Sequence, residues 1–600
     1  MILTAVTLYL TLITKYDSTF GSRRPHLRDA FPKLFHRVKD TNSEGQLSGK
    51  EKSVVHKIAH NEPVLYKDEV NVLKIFFLGI PQWHEWEFSY LTIGFNILLA
   101  LLSLDLVLRA PLLHKETHLV FARLGFVDDR SAKILLRDPN PASLPIYSYI
   151  KAESDIDWSS KGTIYWVGDE TDFTYPFEFT DLSPHTKYEY LFSNTLNGTF
   201  TTAAPKDTSH SLTFTTTSCI KANFPYNLFS SPLAIHGFKH LSKVLSSMLS
   251  KVSFMLFLGD FIYIDVPYRL SSRTSHYREE YRRVYASPSW RLPELGTLPW
   301  IHTMDDHEIA NDWAGGNATE PFPAASDPFV HYHASVNPPL PPRAAGAENT
   351  TYYQFVQGPA SFFMLDTRRY RTAPDPDATG LFGGKPGYGS SPPKKARQEY
   401  GPSMLGSQQL QDLLVYLRTK EPPNVRFKIV ASSVPFTKNW RFGFKDSWAG
   451  YPSERREILD AMYAAEQVLG VRVVILSGDR HEFGAVRYAS SQVIASGQTE
   501  AEAAEASGPH EFSVSPLSMF YLPIRTFRQV DDEDVTLAYH PDGNSKFGVV
   551  NIEPMPELPG SSVLTYTLYV DGARRWEYNI TSPHPRWQEQ SSMQSWKIWR

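Results

Sequence analysis

The chain has 600 residues, a formal net charge of −4, a single cysteine and 13% aromatic residues. The length exceeds one ordinary domain and leaves room for about three or four. With 60 Lys and Arg against 64 Asp and Glu, one cysteine and 42% hydrophobic residues, a generic nucleic-acid binder, an intrachain disulfide, a multi-cysteine zinc module and wholesale disorder are all excluded.

Residues 1–14, MILTAVTLYLTLIT, are apolar but lack a basic leader and a cleavage site. They read as a truncated span or a poor signal. Residues 21–74 hold 11 Lys/Arg and 7 Asp/Glu, so the remainder of the chain sums to −8. Next comes Tyr90–Leu108, in which only Asn96 and Asp105 are strongly polar. As a helix it covers roughly 28 Å, close to a bilayer's hydrocarbon core. Trp83, Trp86 and Tyr90 precede it as interfacial aromatics would. A buried core helix is the other reading, and Asp105 favours it. The basic flank predicts a cytosolic N-terminal segment and a lumenal or extracellular remainder, in one or two passes. Residues 1–110 are therefore expected to be a membrane anchor region. Sequons at Asn197, Asn317, Asn349 and Asn579 all follow the span, which suits a glycoprotein in that orientation.

Residues 111–205 predict a β-sandwich, with strands near Pro145–Ile150, Gly162–Trp166, Pro176–Phe179, Lys187–Phe192 and Thr199–Thr202. The run Thr180-Asp-Leu-Ser-Pro-His-Thr-Lys-Tyr-Glu-Tyr has the cadence of a fibronectin-like sandwich, where an aromatic packs at a corner before the last strands. A β-rich spacer is the alternative. From about Leu212 strands and helices alternate: strands at Ser211–Thr217, Val252–Leu258, Trp300–Met304, Val425–Ser432 and Val471–Leu476, a hairpin at Tyr353–Val356 and Ser361–Leu365, and helices at His236–Lys251, Tyr277–Tyr285, Gln408–Arg418 and Ser453–Leu469. The alternation predicts layered α/β over residues 206–600. Thr372–Lys395 is Pro/Gly-rich and Ile494–Pro509 is a low-complexity insertion; both read as surface loops.

Five segments place chemistry directly after apolar strands, where rigid strand ends meet open loops. Leu256-Phe-Leu-Gly-Asp260 leads to Tyr263, pairing a carboxylate able to bridge metals with a phenol suited to Fe³⁺. Met304-Asp305-Asp306-His307-Glu308 clusters carboxylates and an imidazole at a cost that a cation would offset; Asn311 and Asp312 add oxygens. Ser477-Gly-Asp479-Arg480-His481 offers two ligands and a guanidinium fork for phosphate. Thr217-Ser-Cys219 carries the only cysteine. Leu365-Asp366-Thr-Arg368 reads equally as a brace for the site or as a structural ion pair.

In this order, Cys…GDxxY…DDHE…LDTR…SGDRH resembles the signature of PhoD-like alkaline phosphatases, within the calcineurin-like metallophosphatase superfamily. Ser432-Ser-Val-Pro-Phe436, Trp448-Ala-Gly-Tyr-Pro452 and Ser513-Val-Ser-Pro-Leu-Ser518 extend the resemblance, which covers roughly residues 115–580; the anchored N-terminus looks like fungal versions. The resemblance implies a two-sheet α/β sandwich flanked by helices, with metals at its strand ends. It implies that Cys219, Asp260, Tyr263 and His481 bind Fe³⁺, and that Asp260 bridges to a second ion, Ca²⁺ or another divalent cation, beside Asp306 and Asp479. Those two aspartates stand where the wider superfamily has Asn and His, and oxygen donors favour a hard cation.

The expected activity is hydrolysis of a phosphomonoester or phosphodiester, lipid- or glycan-linked substrates included, by a metal-activated hydroxide attacking in line. His307 is the expected general acid, and Arg480 the phosphoryl clamp, assisted by Arg368. A membrane-tethered binding or adhesion protein with a degenerate phosphatase domain is the alternative.

Overall fold

The structure is a computed structural model, and it describes residues 86–206, 208, 210–248, 251–340, 350–374, 401–489 and 508–583. The apolar stretch at 1–14, the basic segment at 21–74, Trp83, the sequon residue Asn349, most of Thr372–Lys395 and nearly all of the low-complexity insertion lie outside the described residues. The chain divides into two compact units, Met1–Arg109 and Ala110–Arg600.

The first unit contributes most of helix α1 (Trp86–Leu113), which runs five residues beyond the predicted span. Its segment Tyr90–Leu113 has a mean hydropathy of 2.2 over its most apolar window, 6% of which is buried. It is long and apolar enough to cross a membrane. Asp105 pairs with Arg109 one turn on, at 3.6 Å, so each offsets the other's charge.

The second unit opens with seven strands: β1 (Phe121–Val127), β2 (Ala132–Arg137), β3 (Ile146–Ala152), β4 (Ser159–Ile164), β5 (Thr174–Phe179), β6 (Lys187–Phe192) and β7 (Asn197–Thr201). They form a three-stranded sheet, β1-β2-β5, and a four-stranded sheet, β4-β3-β6-β7. Leu124, Ile134, Leu136, Phe179 and Phe192 from the two sheets share one core. The sequence pattern had missed β1 and β2.

The remaining elements follow in chain order. They are β8 (Leu212–Thr217), α2 (Gly237–Ser247), β9 (Met255–Leu258), α3 (Thr274–Tyr285), α4 (Pro293–Thr297), β10 (Trp300–Thr303), α5 (Phe322–Tyr332), β11 (Tyr353–Gln357), β12 (Ala360–Met364), α6 (Gly406–Arg418), β13 (Phe427–Ala431), α7 (Pro452–Leu469) and β14 (Arg472–Ser477). Six more strands end the unit: β15 (Phe483–Tyr488), β16 (His510–Val514), β17 (Asp534–His540), β18 (Lys546–Pro554), β19 (Ser562–Val570) and β20 (Ala573–Thr581). None of those last six, nor α5, had been expected.

Two sheets result, ordered β10-β9-β8-β18-β19-β20 and β11-β12-β13-β14-β16-β15-β17. Strand alternation assigns each side chain to a layer. Leu256, Leu258, Phe362, Met364, Val474 and Leu476 fill the space between the sheets. Met255 and Phe257 face outward onto α2, α3 and α5, and Phe363, Val473 and Ile475 face outward onto α6 and α7. Both faces of the parallel strands are thus covered, which explains their unbroken apolar runs. In one sheet β8, β9 and β10 run parallel; in the other β12, β13, β14 and β16 do. Their C-terminal ends carry the five chemistry-bearing segments singled out above.

Candidate metal centre

Cys219 lies two residues beyond β8, Asp260 two beyond β9, Asp305 and Asp306 just beyond β10, and Asp479 and His481 just beyond β14. The backbone turns sharply at these points. Cys219, Asp260, Asp479 and His481 have φ of 63°, 58°, 74° and 57°, in the left-handed region that non-glycine residues occupy uncommonly. Gly259, at φ 94°, makes the exit from β9. A Cβ there would sit 2.4 Å from that of Asp305, so glycine lets the β9 and β10 loops touch.

The side chains converge. The Cys219 thiol donates to Asp260 Oδ2 at 3.2 Å. Tyr263 donates to the same oxygen at 2.9 Å and lies 2.9 Å from His481 Nε2. Ligand atoms of Cys219, Asp260 and His481 fall within 4.8 Å of one another. A second group, Asp260, Asp305, Asp306 and Asp479, is equally tight and shares Asp260 with the first; Asp260, Asp306 and His307 form a third. All six residues expected to bind metal are therefore gathered around Asp260.

The donor set fits cations. Asp260 Oδ1, Asp305 Oδ2, Asp306 Oδ1 and Asp479 Oδ2 are buried and have no hydrogen-bond partner. Buried carboxylates left this way are costly unless a cation meets them. Without one, burial pushes Asp260 up to about 6 and Asp479 up to about 7. Burial and the neighbouring Asp260 carboxylate also push up the Cys219 thiol, whereas burial holds His481 neutral, down to about 3, the form in which imidazole binds metal. Thiolate, phenol and imidazole on one side of Asp260 suit a softer or ferric ion; all-carboxylate donors on the other suit a hard divalent ion.

The residues expected to touch substrate are placed differently from one another. His307 is largely buried; its Nδ1 lies 2.6 Å from Asp265 Oδ1 and its ring stacks on Tyr263 at 4.2 Å. Burial opposes its charge, but Asp306, Asp260 and Asp265 hold its pKa well above the usual histidine value. Arg480 lies along the wall, 3.5 Å from Asp479 Oδ2 and 5.7 Å from the Trp440 ring, donating to the Phe442 carbonyl. Arg368 does not reach the opening. It is completely buried, its Nε donates to Asp305 at 2.5 Å, and its two terminal nitrogens grip Asp446 at 2.6 and 2.9 Å. That corrects its expected part in the clamp, because the fork is already filled.

Several braces had gone unnoticed in the sequence. Glu308 accepts from the backbone N–H groups of Asp260 at 3.0 Å, Phe261, and Asp305 at 2.8 Å. The Ser433 hydroxyl donates to Asp305 at 2.8 Å, and Ser515 accepts from the His481 N–H at 2.7 Å. Asp366, which the sequence did offer as a brace, accepts the N–H groups of Arg368 and Arg369 at 2.9 and 2.8 Å. Asp312 groups with Asp306 and Asp446, whereas Asn311 offers its N–H to Asp265 at 2.6 Å.

Residues 214–557 match the family described as PhoD-like phosphatase. The chain belongs to the PhoD-like phosphatase family. Alkaline phosphatase D of Bacillus subtilis (strain 168) is 27% identical over 338 residues, 51% of this chain and 52% of that protein. The chain thus spans about half the length of the curated relative it matches. Among solved structures, that of PhoD superposes with a TM-score of 0.53 at 16% identity, covering 80% of this chain and 98% of its own. A purple acid phosphatase from yellow lupin (Lupinus luteus) seeds gives 0.50 at 12%, covering 78% and 75%. At those identities the likeness is one of fold: mixed α/β sheets of the PhoD and purple acid phosphatase type. The family match begins inside β8, so the PhoD-like assignment rests on the two-sheet part rather than on β1–β7.

Proposed function

We propose that this PhoD-like chain is a metal-dependent phosphoester hydrolase with a dinuclear centre. The observation that carries the reading is the set of four buried carboxylate oxygens without a hydrogen bond gathered around Asp260, two of which, Asp306 Oδ1 and Asp479 Oδ2, have only an arginine at 3.6 and 3.5 Å. So complete a ligand set argues against a degenerate domain in a tethered binding protein. Cys219, Asp260, Tyr263 and His481 would hold one ion, Fe³⁺ by their chemistry. Asp260, Asp306 and Asp479, with Asp305 beside them, would hold a hard divalent ion such as Ca²⁺. When bound, such cations polarise phosphoryl oxygens and lower the pKa of a water nucleophile.

The protein's own groups do the rest. Asp265 fixes the His307 ring through Nδ1, leaving the other nitrogen to deliver a proton to the departing alkoxide. Arg480 meets the non-bridging oxygens from the wall. Arg368 neutralises part of the acidic cluster and holds Asp305 in place. Phosphomonoesters and phosphodiesters both fit this chemistry, and a lipid- or glycan-linked phosphate is consistent with an anchored chain.

We read α1 as the anchor and β1–β7 as a fibronectin-like sandwich, supported by the Tyr188 hydroxyl that accepts the Ser183 N–H at 2.8 Å across a corner. The basic flank favours a lumenal or extracellular catalytic part, a reading consistent with the exposure of the sequon residues Asn197, Asn317 and Asn579.

The test is a hydrolysis panel of phosphomonoesters, phosphodiesters and phospholipids with the purified full chain, with and without chelator, beside Asp260→Asn. Two metal equivalents per chain, chelator-sensitive turnover and a loss of at least a hundredfold in Asp260→Asn are expected. Turnover that survives both chelation and Asp260→Asn would sink the reading.

A further inference from the structure

A buried lysine sits directly behind the centre. Lys546 opens β18 and is fully buried, where lysine is rarely found. Its Nζ donates to the carbonyl of His481 at 3.1 Å and to that of Gly543 at 2.6 Å, and it lies 5.5 Å from the Tyr521 ring. Two backbone carbonyls and an aromatic face thus receive the ammonium. The backbone of Lys546 reaches the other ligand loop. Its N–H donates to the Pro516 carbonyl at 2.6 Å, and its carbonyl accepts the Thr217 hydroxyl at 2.7 Å. Thr217 ends β8, two residues before Cys219.

The residues around Pro516 complete the tie. Ser515 accepts the His481 N–H at 2.7 Å. The Leu517 N–H donates to the Ser218 carbonyl at 2.8 Å, and the Ser518 N–H to the Cys219 carbonyl at 3.2 Å. Lys546 therefore joins the loops after β8, β14 and β16. The tie matters most at His481, whose φ of 57° is one that non-glycine residues adopt uncommonly. Ser515 fixes its N–H and Lys546 fixes its carbonyl, so both peptide groups flanking the imidazole-bearing carbon are held. The all-carboxylate side has separate braces. Glu308, Arg368 and Ser433 hold Asp305, and they work from the loops after β10, β12 and β13. Ser218 accepts the Asp479 N–H at 3.1 Å.

We propose that Lys546 is a positioning residue for the Cys219 side of the centre: by holding the His481 carbonyl it keeps that imidazole beside Cys219, Asp260 and Tyr263, and its loss empties this side while sparing the all-carboxylate side. The proposal rests on the dinuclear reading above, with iron on the Cys219 side.

The test compares two buried lysines in the purified full chain. Lys546→Met keeps most of the apolar stem and removes the donors. Lys428→Met does the same near the start of β13, at the far end of the strands from the centre, where Nζ donates to the Tyr416 carbonyl at 2.8 Å. Lys546→Met should lose half or more of its iron by elemental analysis, with the visible phenolate-to-iron absorption falling in proportion, and keep its divalent ion. Hydrogen exchange of the His481 N–H should quicken about tenfold, the scale set by one lost hydrogen bond to a charged group. Lys428→Met should melt lower with neither change. Lys546→Arg, which keeps donors in the slot, should fall between Lys546→Met and wild type, and it takes the place of Lys546→Met if that variant does not fold. Wild-type iron and exchange in a Lys546→Met that melts lower overturn the proposal, and equal loss of both ions overturns its selective part. A wild type without bound metal, but with the exchange difference intact, would sink the dinuclear reading and leave the hold of Lys546 on His481 standing.

Discussion

His307 is the residue whose neighbours say most about what it would do. Nδ1 is engaged by Asp265, so the ring is held rather than merely nearby, and Tyr263 stacks on its face. A positioned general acid matters in proportion to how badly the leaving group needs a proton. His307→Gln should therefore slow alkyl phosphoesters by about 10²–10⁴-fold, while nitrophenyl esters, which leave without help, change far less. Equal losses for both classes, measured as kcat on matched esters, would remove His307 from that role. Asp265→Asn should reproduce part of the loss with the same leaving-group dependence. Of the residues assigned from sequence, those that closely follow a buried strand are the ones the fold brings together: Cys219 after β8, Asp260 after β9, Asp306 after β10 and Asp479 after β14. For Arg368 the brace and ion-pair readings stood beside the clamp, and the sequence could not choose among them because a guanidinium's partners are far away in the chain. Asp446 is 78 residues on and follows no strand, so nothing local announced it.

At the scale of elements, Glu308 ties two strand ends together. One carboxylate takes N–H groups from the loops after β9 and β10, three donors that would otherwise be orphaned beneath the ligands. Burial, together with the neighbouring Asp260 carboxylate, pushes Glu308 up to about 8. Glu308→Ala leaves those donors unpaired, and each buried orphan costs about 1–3 kcal/mol. The expected result is a drop in the denaturation midpoint together with reduced metal occupancy by elemental analysis, although Glu308 itself offers no ligand to the centre. Wild-type metal content in a destabilised Glu308→Ala would mean that the brace is structural only. The strands and helices that were legible are those with long apolar runs covered on both faces. Of the six missed at the C-terminal end, β20 is largely solvated, with Arg574, Arg575 and Glu577 exposed, whereas β15 and β16 are buried but short and broken by Arg487, His510 and Glu511, so a run-length argument catches none of them.

The molecule as a whole depends on how β1–β7 is held to the two-sheet part. Asp172, between β4 and β5, is the hub. Its carboxylate accepts Arg282 of α3 at 2.7 and 2.8 Å, Tyr332 of α5 at 2.5 Å, and Arg137 of β2 at 3.4 Å. All of these groups are buried. Removing one partner of a buried ion pair strands the other charges, at about 3–5 kcal/mol. Asp172→Ala should lower the chemical-denaturation midpoint by that equivalent and loosen β1–β7 toward proteolysis. A loss below about 1 kcal/mol, the scale of a surface pair, would show that the junction is held by apolar packing alone. Sequence placed a boundary near residue 205 but gave no sign that Asp172 crosses it.

One pairing constrains the order in which the chain can be made. β8, which leads to Cys219, takes β18 as its antiparallel neighbour, with Thr216 opposite Gly548. At about 5–20 residues per second, a ribosome needs on the order of 20–60 s to add what lies between them. Through that interval the edge of the parallel trio β8-β9-β10 that β18 will cover has no such partner and is an open template for mispairing. Because His481 follows β14 and Cys219 follows β8, the centre can close only after β14 has emerged, long after the first ligand.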